Sequence, residues 1–115
     1  MTRIDSDTLY GTLNVLILKS LCEGPRHGLA ISRHIAEESD ALLKVEEGAL
    51  YPALHRLERD GLVRSEWGVS ETNRRAKFYA LTTVGRRQLK RELGNWLRHA
   101  RAVAKVLQIV VGSEG

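Results

Sequence analysis

The last third of the chain carries a pattern that few folds can absorb. Leu89, Leu93, Trp96, Ala100, Val103, Leu107 and Val110 follow one another in alternating steps of four and three. Such a heptad seam lines one stripe of a long helix with apolar side chains. Leu97, Ala104 and Val111 flank the stripe. Counted from a cap at Thr82 or Thr83, this helix is expected to run to about Val111. A chain of 115 residues holds material for one domain. Little of it is left to cover so long a helix, and a second copy of the chain is the natural partner. The expected interface of that homodimer is Leu89, Leu93, Trp96, Ala100, Val103 and Leu107.

Upstream, the apolar spacing predicts three shorter helices. Thr8 to Cys22 carries Leu9, Leu13, Leu16, Ile17 and Leu21 at helical intervals. Val15 and Leu18 fall on its other side, which predicts a second buried face and hints at a subunit contact. Gly24-Pro25 ends it. His27 to Ser39 follows, with Leu29, Ile31, Ile35 and Ala36 as its stripe, and then Glu46 to Asp60. In the third helix Leu50, Leu54 and Leu57 make one core face, and Gly61 is a C-terminal stop. Leu62–Trp67 and Lys77–Leu81 read as two strands joined by a polar tip over 68–75, with Trp67 as a core anchor.

The expected order is three helices, a hairpin and a long helix. That order predicts a mainly α fold with a small β-hairpin, a winged helix-turn-helix. Its expected parts are a winged helix-turn-helix domain over residues 8–82 and a dimerisation helix over 83–111, in one compact unit.

Charge narrows the partner. The net charge is +4, but residues 1–73 carry 8 Lys/Arg against 12 Asp/Glu. Residues 74–105 carry 10 Lys/Arg against one acid, Glu92. A contiguous basic third suits a polyanion, or else a solvated helix face. Other classes find little support. Cys22 is the single cysteine, which excludes an internal disulfide and suits a cytoplasmic protein. His27, His34, His55 and His99 lack the spacing of a metal set. No phosphate-binding glycine loop or nucleophile elbow occurs. Neither an enzyme, nor a metal or cofactor, nor a membrane segment is therefore expected.

Between residues 48 and 89 the chain becomes familiar. Gly48-Ala-Leu-Tyr-Pro-Ala-Leu-His-Arg-Leu-Glu58, Asp60-Gly-Leu-Val63, Arg74-Arg-Ala-Lys-Phe-Tyr-Ala-Leu-Thr82 and Gly85 stand in sequence, with His27-Gly28 upstream. In these pieces the chain resembles the PadR family of bacterial transcriptional regulators, in its short form with one C-terminal helix. The resemblance implies a dimeric DNA-binding repressor, occasionally an activator. It implies a third helix in the major groove, a wing on the phosphate backbone, and a C-terminal helix that dimerises.

Within that frame, physical reasoning distributes roles. Opposite the Leu50/Leu54/Leu57 face the third helix shows Gly48, Tyr51, Pro52 and His55, with Arg59 near its end. Small Gly48 and Ala49 permit close approach to DNA, and a helix N-terminus favours phosphate. Tyr51 suits a phosphate, and His55 or Arg56 a base edge or phosphate. Pro52 either lies in the first turns or kinks the helix. Glu46 and Glu47 oppose phosphate there, and helix capping is their expected role. In the wing Asn73, Arg74, Arg75 and Lys77 suit backbone or minor-groove contact; the plainer reading is a charged loop that keeps an edge strand soluble.

Trp96 on the seam has two readings. One is ordinary interface packing. The other comes from the resemblance: in some short members of the family a tryptophan of the last helix stacks flat aromatic drugs between subunits. The expected mechanism is a dimer with two third helices about 34–36 Å apart on an inverted-repeat operator, released when a small aromatic ligand tilts the halves. A winged-helix protein adaptor that does not bind DNA specifically is the competing reading.

Overall fold

A computed structural model describes residues 11–110. Leu9 and Val111, and the ends of the two expected domain spans, lie outside the described residues. The elements are α1 (Leu13–Ser20), β1 (Arg26–His27), α2 (Gly28–Glu38), α3 (Glu47–Arg59), β2 (Val63–Val69), β3 (Arg75–Leu81) and α4 (Thr83–Leu107). This is the expected winged helix-turn-helix with a long last helix. One element is additional. The two-residue β1 pairs antiparallel with β3, giving a sheet of order β1-β3-β2.

The core joins all the helices. Ile17, Leu18 and Leu21 meet Ile31 and Ile35 of α2, Leu50, Ala53, Leu54 and Leu57 of α3, and Val63, Tyr79 and Leu81 of the sheet. Leu18 is wholly buried among them. The second face expected for the first helix is therefore spent inside the domain, with Val15 and Leu16 packed partly against the same core. Leu29, placed on the stripe of α2 by its spacing, is exposed instead. It sits one residue into the helix, past the edge of the core.

Local chemistry sets the helix ends. His27 caps α2, its Nδ1 accepting from the Ala30 amide at 3.2 Å. α3 ends in a Schellman arrangement: Gly61 takes φ +77°, its N–H reaches the Glu58 carbonyl at 3.0 Å, and Leu62 N–H reaches that of Leu57 at 2.9 Å. Glu46 is the N-cap residue of α3, but its side chain makes no capping hydrogen bond. It faces Lys44 at 3.9 Å, so any help it gives the helix is through charge.

The Leu-Thr-x-x-Gly run of the sequence is a packing device. Thr82 Oγ1 accepts from the Gly85 amide at 2.9 Å, capping α4, and donates toward the carbonyls of Gly61 and Leu62. Gly85 lets the first turn of α4 rest on the β2 entry. A Cβ there would overlap the Leu62 carbonyl oxygen and come within 3.0 Å of its carbon.

α4 spans 25 residues, roughly 37 Å at the helical rise. It packs against α1, and the molecule is 49 Å in its long dimension. The helix stops at Gln108, which is left-handed at φ 57°, with Ile109 N–H on the Ala104 carbonyl. Val110, expected as the last seam position, therefore lies past the helix. Leu89 is 6% exposed and belongs to the domain's own core. The seam open to a partner begins at Leu93, since Leu93, Trp96, Leu97, Val103, Val106 and Leu107 are all exposed.

The hairpin is longer than expected and its tip shorter. β2 and β3 pair from Val63↔Leu81 to Val69↔Arg75. Ser70 accepts from Asn73 N–H at 2.9 Å and donates to the Arg74 carbonyl at 2.8 Å. Asn73 is left-handed at φ 60°, the three-residue hairpin loop with its bulge residue. Trp67 is not a core anchor: it is 59% exposed. It shares a sheet face with buried Val63, as alternation requires. At Trp67, paired with Lys77, that face lines an open crevice beside α2 and α3 and no longer the closed core.

Candidate nucleic-acid interface

Two faces of α3 leave the core in different directions. Gly48, Pro52, His55 and Arg59 stand at steps of four, three and four and form the outward stripe. All four are exposed. Pro52 lies inside the helix. It takes away the donor that the Gly48 carbonyl would have had one turn back. Gly48 itself has open space around it, with nothing within 4 Å of where a Cβ would stand.

On one side of this stripe α2, α3 and the hairpin line an open crevice of about 590 Å³. Tyr51 and His55 line it from α3, and Arg74, Arg75 and Lys77 from the hairpin. Five of the residues singled out in the sequence thus converge on one concave, basic surface. Gly28 is what lets Tyr51 lie there. A Cβ at Gly28 would come within 2.7 Å of the Tyr51 ring carbon that bears the hydroxyl. The His27-Gly28 pair of the sequence is thereby explained: one residue caps α2 and the next makes room for the tyrosine.

The cations of the crevice are held at different strengths. Arg75 stacks its guanidinium over the Trp67 ring, 4.7 Å from the centroid. Lys77 is turned partly toward α3, 4.0 Å from Glu58, which also accepts from Ser65 at 2.6 Å. Tyr79 lines the floor. Burial, and then the neighbouring Glu58 and Tyr51, hold its hydroxyl above the ordinary tyrosine range, so it stays protonated at neutral pH.

The remaining candidates lie elsewhere. Gly48, Ala49, Pro52 and Arg56 border a separate groove of about 380 Å³, closed by the start of α1 and by Glu92 of α4. Ala49 is half-buried against the core and does not point outward. Asn73 holds the left-handed turn position, which accounts for it without any ligand. Three residues of the crevice escaped the sequence reading: Arg33, Glu71 and the Trp67 stacking platform. Arg33 and Glu71 stand 3.7 Å apart, yet 38 positions separate them in the chain. No local pattern connects them. The strict alternation of Val63, Ser65 and Trp67 with the length of the hairpin could have exposed Trp67.

Among the described residues no group of His, Cys, Asp and Glu could hold a metal ion, and no helix is long and apolar enough to cross a membrane.

Comparison with known proteins places this architecture. The family model for PadR-like transcriptional regulators matches residues 17–91. A transcriptional regulator of Mycobacterium tuberculosis is 31% identical over 98 residues, which cover 85% of this chain and 81% of that protein. A solved transcriptional regulator from Clostridium thermocellum superposes with a TM-score of 0.79 at 33% identity, covering 89% of this chain and 96% of its own. PadR of Bacillus subtilis, solved in complex with operator DNA, gives a TM-score of 0.63 at 27% identity over 71% of this chain and 46% of that one. With the family match spanning well over half of its length, the chain belongs to the PadR-like family of transcriptional regulators.

Proposed function

We propose that this protein binds duplex DNA sequence-specifically as a homodimer and represses transcription from an inverted-repeat operator. The observation that carries the reading is the basic crevice between α3 and the hairpin. Arg74, Arg75 and Lys77 face Tyr51 and His55 across a cleft whose rim is the exposed stripe of α3. A phosphate backbone entering the crevice would bring that stripe into the major groove, where His55 and Arg59 can reach base edges. The similarity to a PadR solved in complex with operator DNA supports DNA as the partner.

Dimerisation rests on α4. Leu93, Trp96, Leu97, Val103 and Leu107 are a third or more exposed, a contiguous apolar strip that a monomer would leave in water. Two copies joined there would present two α3 helices to successive major grooves, about 34–36 Å apart. Trp96, 41% exposed, borders a groove of about 310 Å³ with Glu92, Asn95 and His99. A flat aromatic ligand stacked on it would shift the two halves only through its preference for one arrangement of the dimer.

Fluorescence anisotropy tests the reading. The duplex upstream of the protein's own gene is compared with a scrambled duplex over a series of salt concentrations. Preference for the native duplex by ~10³ or more establishes a specific regulator. Arg75→Ala should then lower affinity for both duplexes and reduce the salt slope by about one. Absence of binding even at low salt transfers the assignment to a protein-binding adaptor.

A further inference from the structure

Among the described residues that line the crevice, Glu71 is the one carboxylate, set against Arg33, Arg74, Arg75 and Lys77. It is not loosely placed. The tip that carries it is closed by the Ser70–Asn73 and Ser70–Arg74 backbone bonds, by Ser70 Oγ against Thr72 Oγ1 at 3.0 Å, and by Arg74 N–H on Ser70 Oγ at 3.3 Å. This turn aims the carboxylate back across the crevice at α2. Oε1 stands 3.7 Å from Arg33 Nη1, and Oε2 stands 3.5 Å from His27 Nε2.

His27 gives the contact direction. Its Nδ1 is committed as an acceptor to the Ala30 amide, so a neutral ring carries its proton on Nε2. That atom is buried and has no hydrogen bond within normal geometry among the described residues. The Glu71 carboxylate stands 3.5 Å from it, longer than an ordinary hydrogen bond. Arg33 and His27 Nε2 together bring a cation and a buried donor to the lining of a basic cleft, the combination a phosphate oxygen would take. The Glu71 side chain is 63% exposed and can swing out. Its carboxyl is held below the ordinary range, first by a hydrogen bond from its own backbone and further by His27 and Arg33. It is therefore an anion at neutral pH.

We infer that Glu71 is an internal stand-in for a DNA phosphate: in the free protein it occupies Arg33 and His27, and a bound duplex must displace it. The inference rests on the DNA-binding reading above and adds a residue that opposes it. The displacement is independent of sequence, because phosphates carry none. Glu71 therefore lowers affinity for every duplex by a similar factor.

The test is anisotropy with native and scrambled duplexes, each titrated at low and fourfold higher salt, for the wild type, Glu71→Gln, Arg33→Gln and the double variant. Glu71→Gln should bind both duplexes several-fold more tightly at low salt. Freeing one cation for phosphate should steepen the salt slope by about 0.9, so that the gain shrinks roughly 3.5-fold across that salt range. In the Arg33→Gln background the same change should bring little or no gain, because the contested cation is gone. Equal affinity of wild type and Glu71→Gln would overturn the inference while leaving the DNA reading intact. Weaker operator binding by Glu71→Gln, with an unchanged melting temperature, would also overturn it and make Glu71 a strut that sets the wing. Wild-type protein that binds neither duplex would overturn the DNA reading and this inference together.

Discussion

Gly48 and Gly85 sit near the starts of two helices, and the same added methyl should act on them in opposite directions. At Gly48 nothing lies within 4 Å of where a Cβ would stand, and φ is not positive. The fold gives no reason for glycine there. Replacing helical glycine by alanine removes backbone freedom from the unfolded chain, worth about 0.5–1 kcal/mol. For a domain of this size that is a rise in Tm of roughly 2–6 °C. Gly48 is also on the outward stripe of α3, beside a carbonyl that Pro52 leaves without its helical donor. If this surface enters the major groove, the methyl stands between helix and DNA. Operator affinity should fall about tenfold, the scale of one lost base contact. Thermal melting and anisotropy on one preparation of Gly48→Ala read both quantities. A more stable protein with weakened operator binding is the expected result. Unchanged affinity would refute the assignment of Gly48 to the DNA-facing surface, and a lower Tm would refute the claim that the position is open.

At Gly85 the methyl would overlap the Leu62 carbonyl, which already accepts from Thr82 N–H at 3.1 Å and Thr82 Oγ1 at 3.0 Å. Gly85→Ala should cost about 2–4 kcal/mol, overpacking together with the disturbed cap, read as a lower urea midpoint. Leu93→Asp should place a charge on the open seam and give monomers by sedimentation or light scattering; a dimer that persists would move the interface elsewhere. Trp67→Ala should change stability by no more than about 0.5–1 kcal/mol, the worth of an exposed cation–π contact, yet weaken DNA binding by freeing Arg75. A loss of about 3–5 kcal/mol would show instead that Trp67 is a core residue. For Glu71, whose folded carboxyl titrates below its ordinary value of 4.5, the stabilising contribution is present at neutral pH. It is lost as pH falls below 4.5 through the lowered folded value. The wild type should therefore lose more stability than Glu71→Gln over that acid range.

Periodicity carried much of the fold. The spacing of Leu50, Leu54 and Leu57 placed the inner face of α3, and Gly61 marked its end, because these signals are local and act within one or two turns. The basic third of the chain pointed to the hairpin and α4. Local pattern could not place β1, since two residues hold too little alternation to read and owe their extended pairing to β3. Nor could it separate the two uses of an apolar stripe. Leu89 and Leu93 both stand on the heptad seam, yet the domain's own core takes the first and leaves the second exposed.

What the sequence by itself determined is the four helices, the hairpin and their order, because helical and strand periods and caps are properties of short segments. What only the tertiary structure decided is which of those side chains meet. Trp67 stays exposed because its sheet face there borders an open crevice, and Tyr51 enters that crevice because Gly28 leaves room. Glu71 reaches Arg33 and His27 because a tight turn folds the wing tip back over α2. Such encounters join residues far apart in the chain, and their geometry depends on the packing of every element between them.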